Sequence, residues 1–191
     1  MTVQLPDCAL EEVVSIMLVI FSGLPGVGKS TLAKALAVEL SAFYLRIDEI
    51  EQALILSGVE PIEGKGYEVA YALAKSNLAL GNTVVCDSVN PWELTREAYR
   101  QCAIQLGKRY IDIEVSCSDE SEHRRRIETR EPEILGHVLP TWLEVMSRDY
   151  QLWVRDRVQI DTSALGSAEL INQIMLQLHQ NEAGLQRLNG Q

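Results

Sequence analysis

The chain has 191 residues, which suits one domain with a full core and is too short for two comfortable ones. Apolar residues make up 47% and charged residues 23%, the balance of a soluble globular protein, which argues against a disordered or fibrous chain. A formal net charge of −10 gives an overall field that repels polyanions, so nucleic acid and anionic membrane surfaces are disfavoured as partners.

Residues 1–16 mix Pro6, Asp7 and a short apolar stretch, and they read as an N-terminal extension to a domain spanning 17–191. Asp7, Glu11 and Glu12 stand where a secretory signal would carry positive charge, and no apolar run reaches the length of a bilayer span. The four cysteines, Cys8, Cys86, Cys102 and Cys117, form no CxxC pair and have no histidine at metal spacing. The expectation is a reducing, cytoplasmic setting with no membrane partner.

Met17 to Phe21 is a continuous apolar run ended by Ser22-Gly23, the pattern of a strand buried on both faces. The next segment, Gly23-Leu24-Pro25-Gly26-Val27-Gly28-Lys29-Ser30, matches G-x-x-x-x-G-K-[ST] in full. Glycines at these places let the backbone wrap a phosphate with its N–H groups turned inward, at the positive end of the helix that follows. Leu32, Ala33, Leu36, Ala37 and Leu40 carry that helix at its expected spacing. The candidate ATP-binding residues are therefore Gly23, Gly26, Val27, Gly28, Lys29, Ser30 and Thr31. Lys29 is placed to reach the β and γ phosphates, and the Ser30 hydroxyl to ligate Mg²⁺.

Phe43 to Ile47 reads as a second strand, and Asp48 to about Ser57 as a short helix closed by Gly58. Asp48 has two readings: a carboxylate that takes the proton of an attacking hydroxyl, or one half of a capping pair with Glu51. A helix from about Tyr67 to Leu80 leads to the strand Thr83 to Cys86, with Asp87 at its carboxyl end. An apolar strand ending in an acid is the arrangement that holds Mg²⁺ opposite a phosphate loop, so Asp87 joins Ser30 as a candidate metal residue; the plainer reading is a strand-end turn. Ser88 follows in place of the glutamate of dedicated ATPases, and no N-K-x-D guanine motif exists, which argues against an ATPase and a GTPase.

Asn90, Pro91 and Glu93 sign the start of a helix that Gly107 stops. Tyr110 to Val115 is the fourth strand, and Glu120 to Arg130 a charged helix. Arg126 and Arg130 share one face of it, either over the transferring phosphate or as a solvated surface paired with Glu122. Thr141 to Trp153 reads as a further helix whose Trp142, Met146 and Trp153 favour packing over base stacking. His123, His137 and His179 offer no partner pattern. Val158 to Ile160 is the fifth strand and Ala168 to Leu178 the last helix. Regular alternation of strand and helix predicts a parallel sheet covered on both faces, with ligands at the carboxyl ends of its strands.

From Met17 to about Leu178 the sequence resembles the small P-loop kinases that include chloramphenicol phosphotransferase-like, zeta-toxin-like and polynucleotide-kinase-like proteins. The resemblance rests on Leu18-Val19-Ile20-Phe21 with the Gly23–Ser30 loop, on Ile47-Asp48-Glu49-Ile50, on Val85-Cys86-Asp87-Ser88, on Arg126 to Arg130 and on Val158 to Thr162. It implies an α/β three-layer P-loop NTPase fold, nucleoside-monophosphate-kinase-like, with five parallel strands and a small helical lid over about residues 120–140. It also implies ATP-dependent phosphorylation, with Asp48 as base or acceptor-binding residue, Arg126 and Arg130 as lid arginines, and Asp161-Thr162-Ser163 near the adenine. Glu51 stands where polynucleotide kinases usually carry an arginine, which with the charge argues against a nucleic-acid end. The expected activity is transfer of the γ-phosphate of ATP, with Mg²⁺, to a hydroxyl of a small-molecule acceptor. The alternatives are a nucleotide, nucleotide-sugar or nucleic-acid 5′-hydroxyl as acceptor, and an ATP-binding regulator without turnover.

Overall fold

A computed structural model describes residues 16–188, so the expected extension lies, except for its last residue, outside the described residues. The sheet is built around β1 (Met17–Ser22), whose six residues are all buried. Its apolar side chains point alternately to two different cores, which explains why the run is continuous rather than alternating. Met17, Val19 and Phe21 pack with Leu32, Leu36 and Ile174, whereas Leu18 and Ile20 pack with Ala74, Leu78 and Tyr99.

The other strands are β2 (Phe43–Arg46), β3 (Val84–Asp87), β4 (Arg109–Ser116) and β5 (Val158–Asp161). They pair in the order β2-β3-β1-β4-β5, and every pairing is parallel. Helices α1 (Lys29–Glu39) and α7 (Ser167–Leu188) cover one face. On the other lie α3 (Lys65–Ala79) and α4 (Glu93–Ile104), making three layers. Each fully buried leucine in these layers, such as Leu36 or Leu78, contributes about 1.5–3 kcal/mol through apolar burial. The five-stranded parallel α/β sheet expected from the alternation is the sheet found.

The register places the functional edge. Phe21 lies opposite both Asp87 and Ile113, Arg46 opposite Asp87, and Ser116 opposite Asp161. The strand ends that carry charge therefore meet along the edge where the glycine loop leaves β1. The remaining helices are α2 (Ile47–Leu56), α5 (Glu120–Thr129) and the short α6 (Trp142–Met146). None of the helices among the described residues is long and apolar enough to cross a membrane.

Three local expectations are corrected. Asp48 does not cap α2: the N-cap is Arg46, no side chain caps it, and Asp48 lies in the first turn. Asn90 does not cap α4, which starts after Trp92. Asn90 is instead wholly buried at φ 50, and its side-chain amide donates to Ser22 Oγ at 3.0 Å. The helix expected over Thr141–Trp153 ends at Met146, although Thr141 and Glu144 do form a capping box. The chain beyond it docks on α4: Gln151 N donates to Pro91 O at 2.8 Å, Arg96 Nη2 donates to Gln151 O at 2.9 Å, and the Trp153 ring lies 4.0 Å from the Arg96 guanidinium carbon. These polar and cation–π contacts replace the helical hydrogen bonds, so Trp153 is a packing residue as expected but not a helical one.

Candidate active site

Gly26 and Gly28 have φ values of 82° and 91°, the left-handed region that a side chain disfavours. A Cβ on Gly26 would collide with the Ile127 side chain, and one on Gly28 would lie 3.4 Å from Thr162 Cγ2 and 3.7 Å from Arg126 Nη1. The loop is thus pressed from outside by α5 and by the turn after β5, while its inner face stays open. Gly28 is the N-cap of α1 and offers no side chain to it, which leaves the first N–H groups of that helix for a ligand.

The loop is braced from several sides. Gly23 N donates to Val89 O at 3.1 Å, and the Thr162 hydroxyl reaches Val27 O at 2.8 Å. The buried His123 ring donates from Nε2 to Pro25 O at 2.8 Å, packed edge-on against Trp142 with ring centroids 5.1 Å apart. His123 therefore has a structural task that its isolation in the sequence did not reveal.

Inside the loop lies a cavity of about 680 Å³. Gly26, Gly28, Lys29, Ser30 and Thr31 line one side of it, and Asp48, Arg126 and Arg130 also reach it. Gly23 and Val27 sit behind the loop, where they line a second, more apolar cavity of about 350 Å³ with Trp142 and Met146. Asp87 is not in the lining. It is 2% exposed and lies beneath Lys29, whose Nζ is 3.9 Å from Oδ1.

Asp87 is also tied to β2. The Tyr44 phenol donates to Oδ2 at 2.8 Å, and Arg46 Nε lies 3.9 Å from the same oxygen. Burial, then the charge of Asp87, pushes the Tyr44 phenol far above its usual range, so it stays a donor. Arg46 continues outward: Nη1 donates to Glu133 at 2.7 Å, and Nε is 3.7 Å from Asp48. Burial works against its charge, but the bond it donates to Glu133 and the charge of Asp87 prevail and hold it above its usual value. Glu133 accepts a further bond from Lys34 at 2.6 Å, so the segment after α5 is pinned to α1 and β2 across the cavity mouth. Bonds from Lys34 and Arg46 draw the Glu133 carboxyl below its usual value.

Both candidate lid arginines line the cavity, but only Arg130 keeps a buried group, its Nε, with no hydrogen-bond partner among the described residues. Burial lowers the Arg130 guanidinium from its usual value, partly offset by the charge of Asp48. Arg126 is held by Glu122 and Thr162. The far side of the cavity adds residues that the sequence did not single out for this purpose, Glu51, His137, Glu144 and Arg148. Burial and then the charge of Asp48 raise the Glu51 carboxyl, against the pull of Arg148.

The donor set fits ATP and a hard divalent cation. The glycine cradle and the α1 N-terminus suit phosphate oxygens, a hydroxyl at Ser30 and a carboxylate at Asp87 suit an oxygen-coordinated ion, and the Arg130 guanidinium in the cavity lining suits an anion.

Among solved structures, the chain is similar to the APS kinase of Mycobacterium tuberculosis, solved in complex with AMPPNP and APS. That match has 16% identity and a TM-score of 0.66, covering 87% of this chain and 98% of the other. It is also similar to a gluconokinase of Sinorhizobium meliloti, with 18% identity, a TM-score of 0.60, and coverage of 89% and 95%. A sugar kinase of Janibacter shares 15% identity with it, at a TM-score of 0.61 and coverage of 85% and 93%. At these identities the likeness is one of fold. No curated protein matches the chain. A family model described as AAA domain matches residues 18–148, which take in the glycine loop, Asp48, Asp87 and both arginines. The chain belongs to the AAA domain family and has the fold of the small P-loop kinases.

Proposed function

We propose that the chain is an ATP-dependent phosphotransferase that moves the γ-phosphate of ATP to a hydroxyl of a small-molecule acceptor. The observation that carries this reading is that one cavity of about 680 Å³ is lined by both the phosphate cradle and Asp48. A carboxylate there suits an acceptor hydroxyl, and Ser88 stands where dedicated ATPases carry their glutamate, which argues against water as the acceptor.

The roles assigned follow from position. The loop N–H groups and the start of α1 bind the phosphate chain, and Lys29 places its charge on the β and γ phosphates. Arg130, which lines the cavity, brings its guanidinium charge to the transferring group, where negative charge spreads in the transition state. Asp48 accepts the proton of the acceptor hydroxyl as that oxygen bonds to phosphorus; the bond between the γ-phosphorus and the β–γ bridging oxygen breaks, and ADP leaves. Ser30 and Asp87 would hold Mg²⁺, which when bound neutralises phosphate charge. The segment around 120–140 acts as the lid, excluding water once Glu133 is in place. The free thiols of Cys86, Cys102 and Cys117 suit a reducing compartment such as the cytoplasm.

Incubating the protein with γ-labelled ATP, Mg²⁺ and a pool of hydroxylated metabolites tests the reading. Label is expected in an organic acceptor. Tight ATP binding with no labelled acceptor would favour an ATP-sensing role instead.

A further inference from the structure

Asp87 is held from the edge strand by a group that none of its neighbours in sequence predicts. Tyr44 and Arg46 are two residues apart on β2, so they face the same side of the sheet, and the register sets Arg46 opposite Asp87 and Tyr44 opposite Val85. From there the Tyr44 hydroxyl reaches Asp87 Oδ2 at 2.8 Å, and Arg46 Nε approaches that same oxygen at 3.9 Å. Lys29 approaches the other oxygen, Oδ1, also at 3.9 Å. The two oxygens are therefore not equivalent: one faces β2 and the other faces the phosphate loop.

We propose that Tyr44 is a positioning residue of the candidate metal site, fixing Asp87 so that Oδ1 alone is offered to a divalent cation. The proposal rests on reading Asp87 as the carboxylate of that site. A carboxylate free to rotate offers either oxygen and loses that freedom when it takes a metal. One already bonded through Oδ2 has less to lose and presents Oδ1 at a fixed angle.

The ring and the hydroxyl of Tyr44 do separate things. The ring packs against the core formed by Phe21, Leu32, Leu36 and Val85. A phenylalanine would fill that space equally well, so packing gives no reason for a hydroxyl at this position. Among the described residues the hydroxyl's hydrogen-bond partner is Asp87.

Tyr44→Phe is the direct test, read by the fluorescence of an N-methylanthraniloyl ATP analogue while Mg²⁺ is varied. The half-saturating Mg²⁺ concentration should rise about tenfold, the lower end for loss of an outer-shell partner, because Arg46 still neighbours Asp87. Binding of the analogue without Mg²⁺ should be unchanged, and the far-ultraviolet circular dichroism should match that of the unmutated protein. In an Asp87→Asn background the same substitution should produce no further shift, since the effect passes through the carboxylate. An unchanged Mg²⁺ titration for Tyr44→Phe, or an equal shift in the Asp87→Asn background, would overturn the proposal. Nucleotide binding by the unmutated protein that ignored Mg²⁺ would remove the metal-site reading itself, and the proposal with it.

Discussion

Arg126 and Thr162 are joined twice: Nη1 donates to the threonine hydroxyl at 2.8 Å, and Nη2 donates to its carbonyl at 3.0 Å. The Thr162 hydroxyl in turn reaches Val27 O at 2.8 Å, so the arginine braces the back of the glycine loop through the turn after β5. One helical turn further on, Arg130 has no such tie. Helix α5 ends at Thr129 and Arg130 is its extended C-cap, so the two arginines share neither the helix face expected from their spacing nor a task.

Their substitution should separate accordingly. Arg126→Ala loosens the loop and should raise the KM for ATP by roughly 3- to 10-fold with a small change in kcat, which corresponds to losing one charged hydrogen-bond anchor. Arg130→Ala removes the charge proposed to stabilise the transferring group and should lower kcat by about 10²–10³-fold with little change in the KM for ATP. Steady-state kinetics on the two variants check the split; equal effects on both parameters would dissolve it.

Asp48→Asn tests the proposed base. Asp48 caps nothing, and its side chain is 40% exposed, so the fold should not register the change. Transfer should fall by about 10²–10⁴-fold, the span for losing a positioned general base. ATP affinity, measured by calorimetry, should stay near the unmutated value. Normal transfer by this variant would leave Asp48 as a first-turn carboxylate that does no more than favour the helix dipole.

Arg100 is fully buried and bonds Asp112 at 2.8 Å and Glu93 at 2.6 Å, tying α4 to β4. Burial raises the Asp112 carboxyl even with that partner present. Arg100→Ala would strand Asp112 without compensation and should cost about 3–5 kcal/mol in urea unfolding. Replacing both residues with apolar ones of similar volume, as in Arg100→Met with Asp112→Leu, should recover much of that loss. The pair would then be a device for specifying the packing rather than for stabilising it.

Asp161 closes the turn after β5, where its Oδ1 accepts from Ser118 N and Ser163 N, both at 3.0 Å. Burial acts to raise this carboxyl, but the bonds from Ser118 and Ser163 outweigh it and hold it at about 2. The folded value lies below the unfolded one of about 4. The ionised form therefore stabilises the fold fully above about pH 4, and that contribution is lost as pH falls from about 4 to 2. The side chain faces solvent, so screening keeps the effect small. Melting curves across pH should show Asp161→Asn slightly less stable than the unmutated protein at pH 6, with the difference closing near pH 2.

What could be read from the sequence was what is contiguous in the chain. The Gly23–Ser30 loop, the buried strand before it and the helix after it are one unbroken segment, and the doubly buried β1 marks itself by lacking polar residues. Asp87 and Asp48 stand out as candidates because strand ends are positions where such folds gather ligands. The residues that hold these groups were not legible, because their partners lie far along the chain. Tyr44 meets Asp87 across 43 positions, Arg46 meets Glu133 across 87, and His123 meets Pro25 across 98. The expected helix over Thr141–Trp153 failed for the same reason: its end is set by α4, through Arg96, and not by its own spacing. Asn90 had the chemistry of a cap, and a buried serine on β1 claimed it first.

The measurement that bears most directly on the central claim is transfer of labelled γ-phosphate to acceptor by the unmutated protein and by Lys29→Ala, with circular dichroism of both. Lys29 lines the cavity, 3.9 Å from Asp87, and its proposed part is to bring charge to the phosphates rather than packing to the core. The account predicts identical circular dichroism and a labelled acceptor only with the unmutated protein. Comparable labelling by Lys29→Ala would contradict it.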